Sequence, residues 1–327
     1  MIDFQNPDLW KNNDILLFLK TASIKKKENI DDFFKQQNHE VEHTQDVYII
    51  TFENNIKGIF KPLKQKPQSM YSEVSAYNAS CYLTFPYVPP TIIRKIDDIE
   101  GSLQLFVDAH LHKQNTTVNK KLSRVSQEAI IQLKTFYFLF GQWDTWSGNI
   151  LEKQYNGIYY LICIDNEHII TNQHVRYGES PFVKAIQSYK FNTNDFEDPF
   201  PFDSVKEIID PTREKIRETF GSKLPNWWYD HIHVNLFKKQ PFRYVIYQNA
   251  LWRQRYIGDT IPDVDYVSLH VPHITSFVKR QIESLTEKSL IENIFNEAYH
   301  ANLVDVEYVN SVLNRRNMIL ANATVVD

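Results

Sequence analysis

Residues 141–170, GQWDTWSGNILEKQYNGIYYLICIDNEHII, constrain this chain more than any other stretch. They read as a loop, a short strand, a turn, a second strand and a second loop, with Asp165 directly after the apolar run Tyr159–Ile164. Asp144 and Asn149 lie five residues apart in the first loop. A hairpin between the loops returns both to one end, so Asp144, Asn149 and Asp165 are expected to share a neighbourhood. Hard divalent cations take such oxygen ligands. Asp and Asn are also ordinary turn residues, so the rest of the chain must support the reading. Just upstream, Ser126 is placed to cap a helix over Gln127–Phe140. There Ala129, Ile130, Leu133, Phe136, Tyr137 and Phe140 recur at helical spacing. A buried helix of this kind positions the loop that follows it rigidly.

The upstream half reads as a compact sheet with one helix inserted. In residues 47–61, Val47, Ile49 and Thr51 alternate with Tyr48, Ile50 and Phe52, and Glu53-Asn54-Asn55 is a turn that suits positive φ at Asn. The returning strand, 56–61, ends at Lys61-Pro62, where proline has no N–H for the ladder. Lys61 then faces the same side as Ile59. Ser72 is expected to cap a helix over residues 73–83, which puts Glu73 in its first turn. The segment 86–90, PYVPP, excludes helix. A strand over 91–95, a turn over 96–101 and a strand over 102–107 follow, and residues 108–111 lead into the rest of the chain. The order is strand, strand, helix, strand, strand.

With 327 residues, 43% of them hydrophobic, the chain is long enough for two lobes around a sizeable core. Only eight are glycine, and neither G-x-x-x-x-G-K-[ST] nor G-x-G-x-x-G occurs. A net charge of −4 argues against a nucleic-acid partner. Lys25-Lys26-Lys27, with Glu28, Asp31 and Asp32 close behind, reads as a solvated face. The two cysteines, Cys81 and Cys163, have no zinc spacing and are expected as free buried thiols in a reducing compartment. No apolar run reaches the ~20 residues of a membrane span, and the start, MIDFQNPDLW, lacks a signal pattern. A cytoplasmic location is expected, with export lacking a cleaved signal as the alternative. The chain divides as an N-terminal helical extension (1–40), a sheet-bearing lobe (41–110) and an α-rich lobe (111–327). In the last, residues 204–220, 241–256, 273–285, 289–298 and 306–320 carry helical patterns, and Trp227-Trp228-Tyr229 reads as packing.

Certain segments carry a family resemblance: GIFKP (58–62), SEVSAY (72–77), VPPTI (88–92), GSLQLFV (101–107), DTWSGNIL (144–151), CIDNEH (163–168) and LNRRNMIL (313–320). Through them the chain resembles the phosphatidylinositol 3-/4-kinase-like group of atypical kinases, particularly small bacterial members, most closely over residues 45–170. The resemblance implies an α+β, bilobal protein-kinase-like fold with a small antiparallel-sheet N-lobe and an α-rich C-lobe. It implies an ATP-dependent phosphotransferase using Mg2+ or Mn2+. Lys61 would contact the α/β-phosphates and Glu73 orient it, and Asp144 would face the acceptor hydroxyl. Asn149 and Asp165 would bind the metal. Residues 104–109, with Gln104, Phe106, Val107 and Asp108, would meet the adenine, and the turn around 38–45 would cover the phosphates. His168 is read as structural, and His110 and His112 as surface residues. The chain lacks H-R-D and D-F-G, and Trp146 stands where the lipid-kinase loop commonly has His. That feature, with no basic cluster near 171–190, turns the expected acceptor toward protein rather than a phosphoinositide. A silent fold that only binds nucleotide or a partner, and a nucleotidyltransferase that transfers AMP, are the alternatives.

Overall fold

The computed structural model describes residues 2–36, 46–63, 67–109, 122–142, 147–167, 169–170 and 271–326. The expected elements at 204–220 and 241–256, the Trp227-Trp228-Tyr229 cluster, and residues 38–45, His110, His112, Asp144, Trp146 and His168 lie outside them.

The sheet-bearing lobe is organised by tight turns. Strand β2 (Tyr48–Phe52) returns as β3 (Lys57–Pro62) through a turn in which Asn55 takes φ 63°. Strand β4 (Thr91–Ile96) returns as β5 (Ile99–Leu105) through Asp97 and Asp98 alone, both at positive φ. Two successive left-handed residues match the twist of a two-residue hairpin. That is why β5 starts three residues before the expected Ser102. The N-terminal segment adds β1 (Ile24–Asn29), antiparallel to β2, so the five strands run β1-β2-β3-β5-β4. The lysine run is therefore a strand, not only a solvated face. Its composition hides the period, but lysine suits an exposed sheet edge, and Lys27 lies over the Tyr48 ring to reach Asp97 at 2.8 Å.

Helix α1 (Asn13–Thr21) is capped by Asn12, and Arg94 donates to Leu19 O and Ala22 O at its far end. With Trp10 it covers the face of the sheet that carries Phe52, Phe60, Leu103 and Leu105. The opposite face carries Ile49, Ile59, Lys61, Ser102 and Gln104, because cross-strand partners share a face. Helix α2 (Ile30–Lys35) packs Ile30, Phe33 and Phe34 on that second face.

Helix α3 (Pro67–Leu83) begins six residues earlier than expected. Ser72 is interior and buried, not a cap; its hydroxyl donates to Ile170 O at 3.1 Å and accepts from Ile170 N at 2.8 Å. Glu73 therefore stands in the second turn, not at the dipole end. The helix is enclosed on most sides, with Met70, Val74, Ala76, Tyr77, Ala79 and Leu83 buried.

In the second lobe, α4 (Gln127–Phe140) has the expected Ser126 cap and ends on Gly141 at φ 64°. It feeds the hairpin β6 (Ile150–Tyr155) and β7 (Ile158–Cys163), closed by Asn156 and Gly157 at positive φ. Strand β8 (His273–Ile274), helix α5 (Ser276–Glu283), a π-helical segment Leu290–Ile294, α6 (Asn296–His300), α7 (Val306–Asn322) and β9 (Thr324–Val325) complete the described chain. Their apolar residues join α3 and α4 in one core. The architecture is α+β: a five-stranded antiparallel sheet flanked by α1, α2 and α3, and a helical core in which the C-terminal helices pack with α3 and α4. No described helix is long and apolar enough to cross a membrane.

Gly101 shows how closely β3 and β5 meet beside Lys61. A Cβ there would lie 2.4 Å from Lys61 O and 2.7 Å from the Phe60 ring. Gly101→Ala is expected to push the strands apart, lowering stability by about 1–3 kcal/mol, as overpacking does. Urea unfolding checks this, with Gly157→Ala as the comparison: its Cβ meets nothing within 4 Å, leaving only its φ of +82°.

Candidate active site

The sheet, α3 and the β6–β7 hairpin each bring one charged side chain to a common point. Lys61 is the penultimate residue of β3 and lies on the same face as Ile59. Its ammonium donates to Glu73 Oε1 and, at 2.6 Å, to Asp165 Oδ1. The three lie up to 104 residues apart in the chain. Glu73 is 2% exposed, while Asp165 is 40% exposed. Burial alone would push the Lys61 ammonium down, but the charges of Asp165 and Glu73 outweigh it and hold its pKa above the ordinary value. Burial raises the Glu73 carboxyl, Asp165 adds to that, and Lys61 opposes both.

Asp165 occupies an unusual backbone. Its φ is 55°, in the left-handed region where non-glycine residues are uncommon. Two neighbours hold it there. Gln142, wholly buried after the α4 cap, donates from Nε2 to Asp165 O at 3.0 Å. Asn166 N donates to Glu73 Oε2 at 3.2 Å, so Glu73 spans the ammonium and the loop backbone. Sequence reasoning missed Gln142 and Asn166, although Asn166 adjoins Asp165; each acts on a residue distant in the chain, which local patterns do not mark. If the cleft carries the phosphate transfer that the family resemblance implies, Gln142→Ala should release the Asp165 backbone and lower kcat by about 10–100-fold, the usual cost of losing a group that orients a ligand, with a smaller change in KM. Steady-state kinetics checks the split.

Asn149 ends a short helical turn, Ser147–Asn149, and is 4% exposed. Its carbonyl accepts from Ile164 N at 2.9 Å, and the next pair in register is Ile150 with Cys163. The two loop residues assigned to metal therefore flank one end of the hairpin. A carboxylate and a carboxamide oxygen are suitable donors for Mg2+, which usually keeps waters and takes substrate phosphate as further ligands. Among the described residues no group of three or more His, Cys, Asp or Glu could hold a metal by itself.

The segment assigned to adenine divides. Gln104 lies on the Lys61 face, 8% exposed, and donates to Thr91 Oγ1 at 2.9 Å. Phe106 packs near Ile59 on that face, whereas Val107 is buried in the core of the opposite face. The main-chain groups of Phe106 and Asp108 already have a partner. Gln5 Nε2 donates to Phe106 O at 3.0 Å, and Gln5 Oε1 accepts from Asp108 N at 2.9 Å. Lys153 of β6 donates to both Gln5 Oε1 and Asp108 O. The N-terminal segment thus ties the interlobe connection to the hairpin, a role its polar sequence does not announce.

No known protein-family model and no curated protein matches this chain. Among solved structures, the Golgi casein kinase with Mn/ADP bound is similar over 95% of this chain and 74% of its own, with TM-score 0.45 and 11% identity. A second crystal structure of the Golgi casein kinase gives 97% and 76%, TM-score 0.43 and 10% identity. The Helicobacter pylori proinflammatory kinase CtkA is similar over 82% of this chain and 99% of its own, with TM-score 0.35 and 13% identity. By its own strand order, and by the meeting of Lys61, Glu73 and Asp165 between sheet and hairpin, this chain has a bilobal, protein-kinase-like α+β fold.

Proposed function

We propose that this protein is an ATP-dependent phosphotransferase of the atypical-kinase type, related to the phosphatidylinositol 3-/4-kinase-like group and acting on a protein hydroxyl. One observation carries the reading: a lysine at the end of a sheet strand reaches both a helix carboxylate and the carboxylate that follows a loop hairpin. Phosphoryl transfer needs little covalent help, so catalysis is mostly alignment and charge stabilisation. Lys61, held by Glu73, would contact the α/β-phosphates. Asp165 and Asn149 would hold a divalent cation, which when bound neutralises charge on the β/γ oxygens. The bond between the bridging oxygen and the γ-phosphorus breaks, a bond from the acceptor oxygen forms, the acceptor's proton passes to Asp144, and ADP leaves.

The test is incubation with γ-labelled or α-labelled ATP and Mg2+ or Mn2+, offering a protein pool and phosphoinositide vesicles separately. Label from γ-ATP in protein is the expected result. Label in the vesicles moves the acceptor to lipid, and label from α-ATP makes the reaction nucleotidyl transfer. Stabilisation by ATP without product would mean a binding module.

A further inference from the structure

The face of the sheet that carries Lys61 has two halves. Lys61 marks the phosphate half. Two residues back along β3, about 7 Å away at strand spacing, stands Ile59, with Ile49 opposite it in register and Phe106 beside it at the interlobe connection. An adenine nucleotide whose phosphates touch Lys61 would lay its base on this apolar floor of Val47, Ile49, Ile59 and Phe106.

The chain itself covers that floor. Helix α2 packs Ile30, Phe33 and Phe34 onto it. Ile49 is left with no exposure and Phe33 with 8%. The Phe33 ring meets Phe106 edge-on at 6.0 Å and Phe34 at 5.4 Å, and the Lys57 ammonium lies 5.7 Å from the Phe33 ring. Aromatic rings in edge-to-face contact on an aliphatic bed fill a space of the kind a purine fills.

We infer that α2 is a displaceable cover: Phe33 and Phe34 occupy the base half of the cleft, and a nucleotide enters by lifting them. This rests on the phosphotransferase reading and adds to it a self-blocking contact. The apparent affinity of a site that must first open is reduced by the fraction open. Truncating Phe33 therefore strengthens binding, the reverse of what a contact residue does.

The experiment compares wild type with Phe33→Ala, titrated with Mg·ATP and, separately, with Mg·tripolyphosphate, which has the phosphates and no base. The expected result is a Kd for ATP at least about fivefold lower in Phe33→Ala, with tripolyphosphate affinity unchanged. On wild type alone, amide exchange over residues 30–35 is expected to quicken when ATP is added. Equal or weaker ATP binding by Phe33→Ala, or slower exchange in α2 with ATP, overturns the cover and makes α2 a fixed wall of the site. A parallel gain for both ligands would also overturn it, since the effect would then not concern the base. If wild type and variant bind neither ligand, the phosphotransferase reading falls and the cover with it; if wild type binds ATP but the variant gains nothing, only the cover falls.

Discussion

Asp165→Ala is expected to abolish phosphate transfer while leaving the fold standing. Asp165 is the most exposed member of the charged trio, and its removal leaves Lys61 paired with Glu73. The Glu73 carboxylate also loses a neighbouring like charge, so thermal stability should hold or rise slightly. The rate should drop by about a thousandfold or more, since each tenfold is ~1.36 kcal/mol of transition-state stabilisation and the residue would both hold the cation and steer the ammonium. Label transfer from γ-ATP beside a melting curve measures both quantities. An active Asp165→Ala protein would remove the assignment of this cleft, whatever its stability.

Lys61→Met should do the opposite to the fold. It strands Glu73, which is 2% exposed, beside Asp165 with no cation between them. Breaking a buried pair from one side costs about 3–5 kcal/mol, and activity should vanish as well. The double variant Lys61→Met/Glu73→Leu separates the two effects. Replacing both partners of a buried pair with apolar groups is often neutral or stabilising, so the melting temperature should recover while transfer stays absent. Denaturant unfolding of the three proteins gives the coupling directly. Recovery of neither quantity would show that Glu73 has a further structural task through Asn166 N.

Much of this arrangement was legible in the sequence because strong local rules apply where it matters. The Asn-bearing turn after Phe52, the Ser126 cap and the apolar period of α4 placed their elements closely. Lys61, Glu73 and Asp165 were singled out through the family resemblance, and their side chains meet. The reading failed where tertiary contacts decide. The run Lys25–Lys27 has no strand period and becomes β1 only by pairing with β2. Ser72 has the chemistry of a cap but spends its hydroxyl on Ile170 inside the core. Gln5, Gln142 and Lys153 act through amides and carbonyls brought together from distant segments, and single-sequence patterns do not register such pairs. Asp144 lies outside the described residues, so its expected place facing the acceptor stays a proposal.

Helix α3 carries Glu73 yet is fastened on several sides. Ser72 holds Ile170, Tyr77 holds Trp10 O, Asn78 reaches Ile294 O, and Tyr82 reaches Ser284 O. A switch that worked by levering this helix outward would have to undo the N-terminal strap and the C-terminal helices together. In a phosphotransferase built this way, Glu73 would stay beside Lys61 rather than swing aside. Its control would fall instead on what reaches the cleft, and a small molecule meant to silence it would do better to wedge the entrance shut than to pry at the machinery within.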